Sequence, residues 1–352
     1  MKNLYRIVDE ILSKVNFGLI WDGFEKTTYA LYNNENVYFR DEVIPYDRRF
    51  LGNTSIDYNG ESIAIWFVED AESEDVDILA SNLVHEMFHA FQRKNNEVRF
   101  SNDLELLIYP NAEENHVLRH TENLLLKNAF LNDNIEEKRK LLMQFISARN
   151  YREHQIGEII KQEYLAETLE GMAEYAGLIA LKQISNDKYN KIVDGHLKEL
   201  SQIGEQFFSI RLMAYYSGAI LCMTLSESEI DFYHQIGKTD TPLFGLVSDI
   251  GQMEKPVVNF DQSIIIKALA QYESKKKAKF EEFLSVHMHK IEGDFVICGY
   301  DPMNMIRMDD MILCDHFVML KEEAADEPKF LQGPVTLVME EGSLDKVRAY
   351  FF

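Results

Sequence analysis

The chain has 352 residues, 46% apolar and 27% charged, and 59 acidic against 36 basic side chains leave it at −23. That composition is globular, and its length calls for one large or two modest domains. So negative a chain is a poor partner for nucleic acid or an anionic membrane, because phosphate binding needs a concentrated positive field.

Asp9 and Glu10 interrupt the apolar run that a secretory leader requires, and the first segment reads as an amphipathic helix ending near Val15. The longest apolar stretch, Leu212 to Leu225, falls short of the ~18 residues of a membrane span and contains Ser217, Gly218 and Thr224. Cys222, Cys298 and Cys314 are odd in number and lack CxxC spacing, which argues against a disulfide framework or a cysteine zinc cluster. The expected setting is cytoplasmic and reducing.

Up to residue 70 the pattern is strand-rich. Thr28–Leu31 and Asn36–Arg40 are short β runs, and Asn53–Tyr58 and Glu61–Val68 flank Asn59-Gly60, a type I′ hairpin signal. From Asp75 to about Leu225 the apolar period becomes 3.6, with Asp75 or Asp77 as the first cap. Helices are expected near Asn102–Asn128, Asn134–Ala148, Gln155–Ile184, Tyr189–Phe208 and Arg211–Leu225. Turn signals crowd Ser226–Pro256. Asp261–Val286 is helical, with Lys275, Lys276, Lys277 and Lys279 on a solvated face. Beyond Gly293 short alternating runs return. The expected class is α+β: a body over 1–290 (strand-rich 1–70, helical 75–225, extension 226–290) and a β appendage over 291–352. An appendage of that size is marginal alone and should pack on the body.

The chemistry is concentrated in Ser81-Asn-Leu-Val-His-Glu-Met-Phe-His-Ala-Phe-Gln92. On a helix, His85 and His89 share one face, so both imidazoles can reach one metal ion, and Glu86 lies within reach of a water on that ion. A shuffled chain of this composition would contain about 0.03 such matches. Uncharged neighbours such as Leu83, Met87 and Phe88 bury the helix around its histidines, which makes an unpartnered pair expensive. Glu163, Glu167, Glu170 and Glu174 form a second stripe at i, i+4, i+7 and i+11, on a segment also carrying Gly171, Ala173, Ala176 and Gly177. Its small residues would let it approach the histidine helix, and its carboxylates suit one ligand plus partners that orient the imidazoles. Spacing leaves Glu167, Glu170 and Glu174 all open as the ligand.

His85-Glu86-x-x-His89 with its uncharged flanks resembles the active-site helix of the zincin superfamily of zinc metallopeptidases, although Asn82 stands where Val or Thr is usual. Asn95 and Gln92 replace the third histidine and the glycine of the metzincin branch. Glu170-Gly171-Met172-Ala173 is similar to the Glu-Gly-x-Ala signature of the gluzincin branch, and this resemblance carries the ligand role onto Glu170. It further implies Zn2+ held by His85, His89 and Glu170, Glu86 as general base, and a peptide or protein substrate. Gluzincins also use a downstream tyrosine on the oxyanion. That role goes to Tyr216 ahead of Tyr215 and Tyr175, all of which also suit core packing. The 80 residues between His89 and Glu170 exceed the common gluzincin spacing; they carry His116, His120 and His154, read as surface or interhelix residues. Gly251-Gln-Met-Glu-Lys255 is similar to an amine-binding element of zinc aminopeptidases but comes after the zinc helix and ends in Lys, so no exopeptidase inference rests on it. His196, His234, His287, His289 and His316 receive no role. The competing expectation is a non-catalytic module of the same fold with the β appendage as its interaction surface.

Overall fold

The computed structural model describes residues 1–322 and 325–352 and is α+β. Helix α1 (Lys2–Leu12) leads into five strands, β1 (Tyr29–Tyr32), β2 (Asn36–Tyr38), β3 (Val43–Pro45), β4 (Thr54–Tyr58) and β5 (Glu61–Phe67). Their sheet runs β3-β2-β1-β5-β4, with β1 and β5 parallel and the other pairs antiparallel. Side chains alternate across it. Tyr29, Leu31 and Ala64 join the main core beneath, whereas Ala30, Tyr32, Ile63 and Ile65 pack with Phe50 on the other face. The expected turn is present: Asn59 and Gly60 both adopt positive φ, 52° and 87°. Strand β3 escapes sequence reading because three residues with no buried side chain carry no clear period.

Helix α2 (Val76–Lys94) starts nine residues beyond β5, with the Asp75 carboxylate accepting from the Asp77 and Ile78 amides. It runs through the main core. Around it lie α3 (Asp103–Leu106), α4 (Glu113–Leu131), α5 (Ile135–Ile156), α6 (Ile160–Ala166), α7 (Met172–Ile184), α8 (Asn186–Ser201) and α9 (Ile210–Glu227). The segment expected to be one helix over 102–128 is two, interrupted around Pro110, which has no N–H to donate. The one expected over 155–184 breaks at Gly157 (φ 73°) and carries a π-helical turn, Glu167–Gly171, between α6 and α7. The helix expected to reach Phe208 ends at Ser201, and the first helix ends at Leu12 rather than Val15.

The π turn crosses α9 backbone to backbone. A Cβ on Gly171 would lie 2.4 Å from Gly218 Cα, and one on Gly218 would lie 2.7 Å from the Glu167 carbonyl oxygen. Gly177 serves the same end against α2, where a Cβ would stand 3.0 Å from the Ser81 carbonyl and 3.5 Å from His85 Cβ. Deeper in the body, Arg149 pairs with Glu122 and Glu167, and Arg152 with Glu122 and Glu163, all of them buried.

Helix α10 (Ser263–Val286) leads to a seven-stranded antiparallel sheet, ordered β10-β9-β6-β12-β11-β8-β7. Its strands are β6 (Lys290–Tyr300), β7 (Met305–Met308), β8 (Met311–Cys314), β9 (Phe317–Glu322), β10 (Lys329–Gln332), β11 (Val335–Met339) and β12 (Lys346–Phe351). It docks as its size requires: Leu104 and Leu107 join one core cluster of the sheet, and Phe280 and Phe283 of α10 join another through Leu313.

Gly218→Ala places a methyl group in the α9–π-turn crossing and should lower stability by about 2–3 kcal/mol. Gly204, with no atom within 4 Å of an added Cβ, is the control. Urea unfolding of both variants measures the difference; equal midpoints would refute the crossing.

Candidate metal centre

The motif histidines face inward from α2, each with its Nδ1 tied down. His85 Nδ1 lies 3.0 Å from Glu174 Oε2, and Glu174 Oε1 lies 2.8 Å from His196 Nε2. His89 Nδ1 lies 2.8 Å from Gln92 Oε1, whose orientation is set because Gln92 Nε2 donates to the Leu169 carbonyl at 3.3 Å. A carboxylate and an amide oxygen only accept, so these partners assign both protons to Nδ1 and leave both Nε2 atoms as lone pairs. Those two nitrogens face each other at 3.1 Å.

Glu170 completes the cluster from the π turn. Its Oε2 is 3.6 Å from His85 Nε2 and 3.3 Å from His89 Nε2, and among the described residues it has no hydrogen-bond donor. With the imidazoles neutral, three lone-pair atoms thus converge, an arrangement that positive charge between them, a metal ion or a proton, makes favourable. Donors about 2.0–2.1 Å from a tetrahedral zinc stand about 3.3–3.4 Å apart. The three separations here bracket that value, so the residues fit the ion. Glu86 Oε2 is also buried without a partner among the described residues, beside the cluster.

Charge obeys the same logic. Burial opposes a positive His85, yet Glu170 and Glu174 outweigh it and push its pKa up to about 10, so with no metal bound a proton on this ring supplies the positive charge that the carboxylates call for. Glu170 is itself held well below the usual carboxylate range: burial opposes ionisation, but Arg211 and the imidazoles overcome it. Glu86 moves the other way, raised chiefly by burial. Arg211 on α9 grips Glu170 Oε1 with one nitrogen and Asp103 with another, which turns Oε2 toward the histidines.

The acidic stripe divides by task. Glu170 meets the imidazoles and Glu174 orients His85, while Glu163 and Glu167 turn away to Arg152 and Arg149. The small residues divide too. Gly177 admits α2, but Gly171 faces α9 and not the histidine helix.

Tyr216 does not sit with this group. Its ring packs edge-on against His196 and its hydroxyl lies 3.4 Å from Gln206 Oε1. Neighbouring residues on a helix point about 100° apart, and here the preceding one faces His85. Tyr215 stacks parallel on His85, ring centroids 5.5 Å apart. Burial, then Glu170, raises its phenol well above the ordinary range, so its hydroxyl remains a donor. Tyr175 points elsewhere, into an aromatic cluster with Trp21, Phe232 and Tyr233. His116 and His120 are buried against Phe207, and His154 is exposed.

A cleft of about 830 Å³ opens over Glu86, His89 and Glu170. Tyr46, Phe50 and Asn53 form part of one wall, and the C-terminal sheet forms another through Tyr300, Asn304 and His316. His316 Nδ1 lies 2.7 Å from Asp301 Oδ2, and both residues line the cleft. Sequence reading assigns no role to His196 or His316. Neither has a local spacing signal, and each acquires its place only through tertiary packing.

Comparison with protein-family models, with curated proteins and with solved structures returned no match.

If Glu174 orients His85, Glu174→Gln should weaken zinc binding about 10–100-fold while the fold persists. Competition against a chromogenic chelator measures it, and an affinity within about twofold of the parent chain would remove Glu174 from that role.

Proposed function

We propose that this chain is a zinc-dependent peptidase of the gluzincin kind, with His85, His89 and Glu170 as ligands and Glu86 as general base. The observation that carries the reading is the convergence of the two Nε2 atoms and Glu170 Oε2 beside Glu86 Oε2, which has no partner among the described residues. Zinc bound by these residues supplies Lewis acidity and a water of lowered pKa.

The remaining work falls to the chain. Glu86 accepts the proton of the attacking water and hands it to the departing amine, a cycle favoured by a carboxylate whose pKa burial has raised. Tyr215 keeps its proton and donates a hydrogen bond to the oxyanion that develops on the scissile carbonyl. Glu174 and His196 hold His85 in register, Gln92 holds His89, and Arg211 holds Glu170.

An extended substrate suits the surroundings. β4 is the outermost strand of its sheet, and Asn53 and Thr54 at its start border the cleft. Such an edge offers backbone groups to a peptide lying alongside it. Aromatic rings at Tyr46 and Phe317 give the side chains of that peptide apolar contact. A purely structural zinc would need neither Glu86 nor a cleft above it, which favours catalysis over a non-catalytic module.

Glu86→Gln should keep one zinc per chain and lose peptide cleavage about 10³-fold or more, a loss that spans the proton-transfer contribution. Tyr215→Phe should lower kcat about 10²–10³-fold with little change in KM, and Tyr216→Phe should stay near the parent rate. A mixed peptide library read by mass spectrometry, with and without chelator, tests all three. Undiminished cleavage by Glu86→Gln would defeat the mechanism, and no cleavage by the zinc-loaded parent chain would defeat the function.

A further inference from the structure

A second cavity, of about 520 Å³, lies where α3, the start of α9, α10 and the C-terminal sheet meet. It shares only Arg211, Pro302 and Met303 with the metal cleft. Much of its wall is apolar, from Leu106, Phe208, Ile210 and Met305 among others. Set into that wall are three cations, Arg211, Lys276 and Arg307.

The acids nearby are already engaged. Asp103 and Glu170 both pair with Arg211, and Glu205 reaches outward to Lys275. Lys276 is not on the solvated face that the run of lysines suggests. Its side chain is only 15% exposed and lies 5.5 Å from the Tyr272 ring centroid, while Lys275 and Lys277 are 69% and 68% exposed. Glu273 accepts from Lys276 at 2.8 Å, leaving the ammonium two further protons. Arg307 uses its Nε on the Asp309 carbonyl at 3.1 Å, and its Nη1 is buried with no partner among the described residues. Arg211 Nε is buried without one as well. His116 adds no charge: burial, with Arg119 and Arg152 close by, depresses its pKa to about 2.

Unanswered guanidinium donors in a chain of net charge −23 ask for an acceptor from outside. We propose that this cavity binds an amphipathic anion, a carboxylate or phosphate group on an apolar body, with Arg307 and Lys276 receiving the head. The apolar walls take the body. Such a head has two sources, a free small molecule or the carboxyl end of a peptide passing Arg211 from the metal cleft. The site itself does not depend on the peptidase reading.

Calorimetry on the full chain with 4-phenylbutyrate, 4-phenylbutyramide and inorganic phosphate tests it. The acid should bind about tenfold or more tighter than its amide, and more tightly than phosphate, which lacks the apolar body. Arg307→Gln and Lys276→Gln should each weaken the acid about fivefold or more, and the exposed Lys275→Gln should not. Lys276→Gln alone decides the matter if Arg307→Gln does not fold. Equal affinity for acid and amide, no detectable binding of the acid, or undiminished binding in the variants overturns the proposal. With Glu86→Gln, a peptide ending in a free carboxylate that displaces 4-phenylbutyrate, where its amidated twin does not, identifies the peptide end as the source. Simultaneous binding of peptide and acid identifies a free small molecule; either result supports an anion site.

Discussion

Two imidazole nitrogens and a carboxylate oxygen, turned toward one another at the floor of a cleft, form an arrangement that repels itself unless positive charge lies between them. The geometry is imposed from behind: Glu174 and Gln92 take the Nδ1 protons, and Arg211 takes the other oxygen of Glu170. Each of these partners is in turn anchored, through His196, the Leu169 carbonyl and Asp103. The positions of α7, α8 and α9 around α2 answer this need to point electron density inward and hold it there.

Close helix packing supplies the rigidity. The Gly171–Gly218 crossing brings α9 against the π turn, and with it both Arg211 and Tyr215. A π turn widens the helix locally and rotates the residues beyond it. Here it separates a seemingly unbroken acidic stripe into two groups. Glu163 and Glu167 are locked into a buried network with Arg149 and Arg152, and Glu170 and Glu174 are free to serve the histidines. Carboxylates paired with arginines and carboxylates paired with histidines sit within one segment, distinguished by which side chain each can reach.

Much of the centre is legible in the sequence because it is local. His85, Glu86 and His89 lie within five residues, and helical geometry alone puts the imidazoles together. Glu170 lies 81 residues further on and stands out through a short signature; its neighbours in the stripe look equivalent until the π turn separates them. The tyrosine beside the histidines is Tyr215, one position from the expected Tyr216, because choosing between them requires the rotation of α9 about its axis, which packing sets. Helix limits slip where Pro110 and Gly157 interrupt a good apolar period. His316, Asp301 and His196 have no sequence signal, since each matters only through a neighbour distant in the chain. The C-terminal strands are visible as an appendage, but their contribution to the cleft wall is not.

That wall has a thermodynamic consequence. The C-terminal sheet is held by Leu104 and Leu107 on one side and by Phe280 and Phe283 on the other, and the opening above the histidines lies between it and the N-terminal strands. Whatever spans that opening touches both folded parts at once. By linkage, its affinity includes the cost of holding them together, and it returns the same free energy to their junction. A guest and the joint therefore strengthen each other.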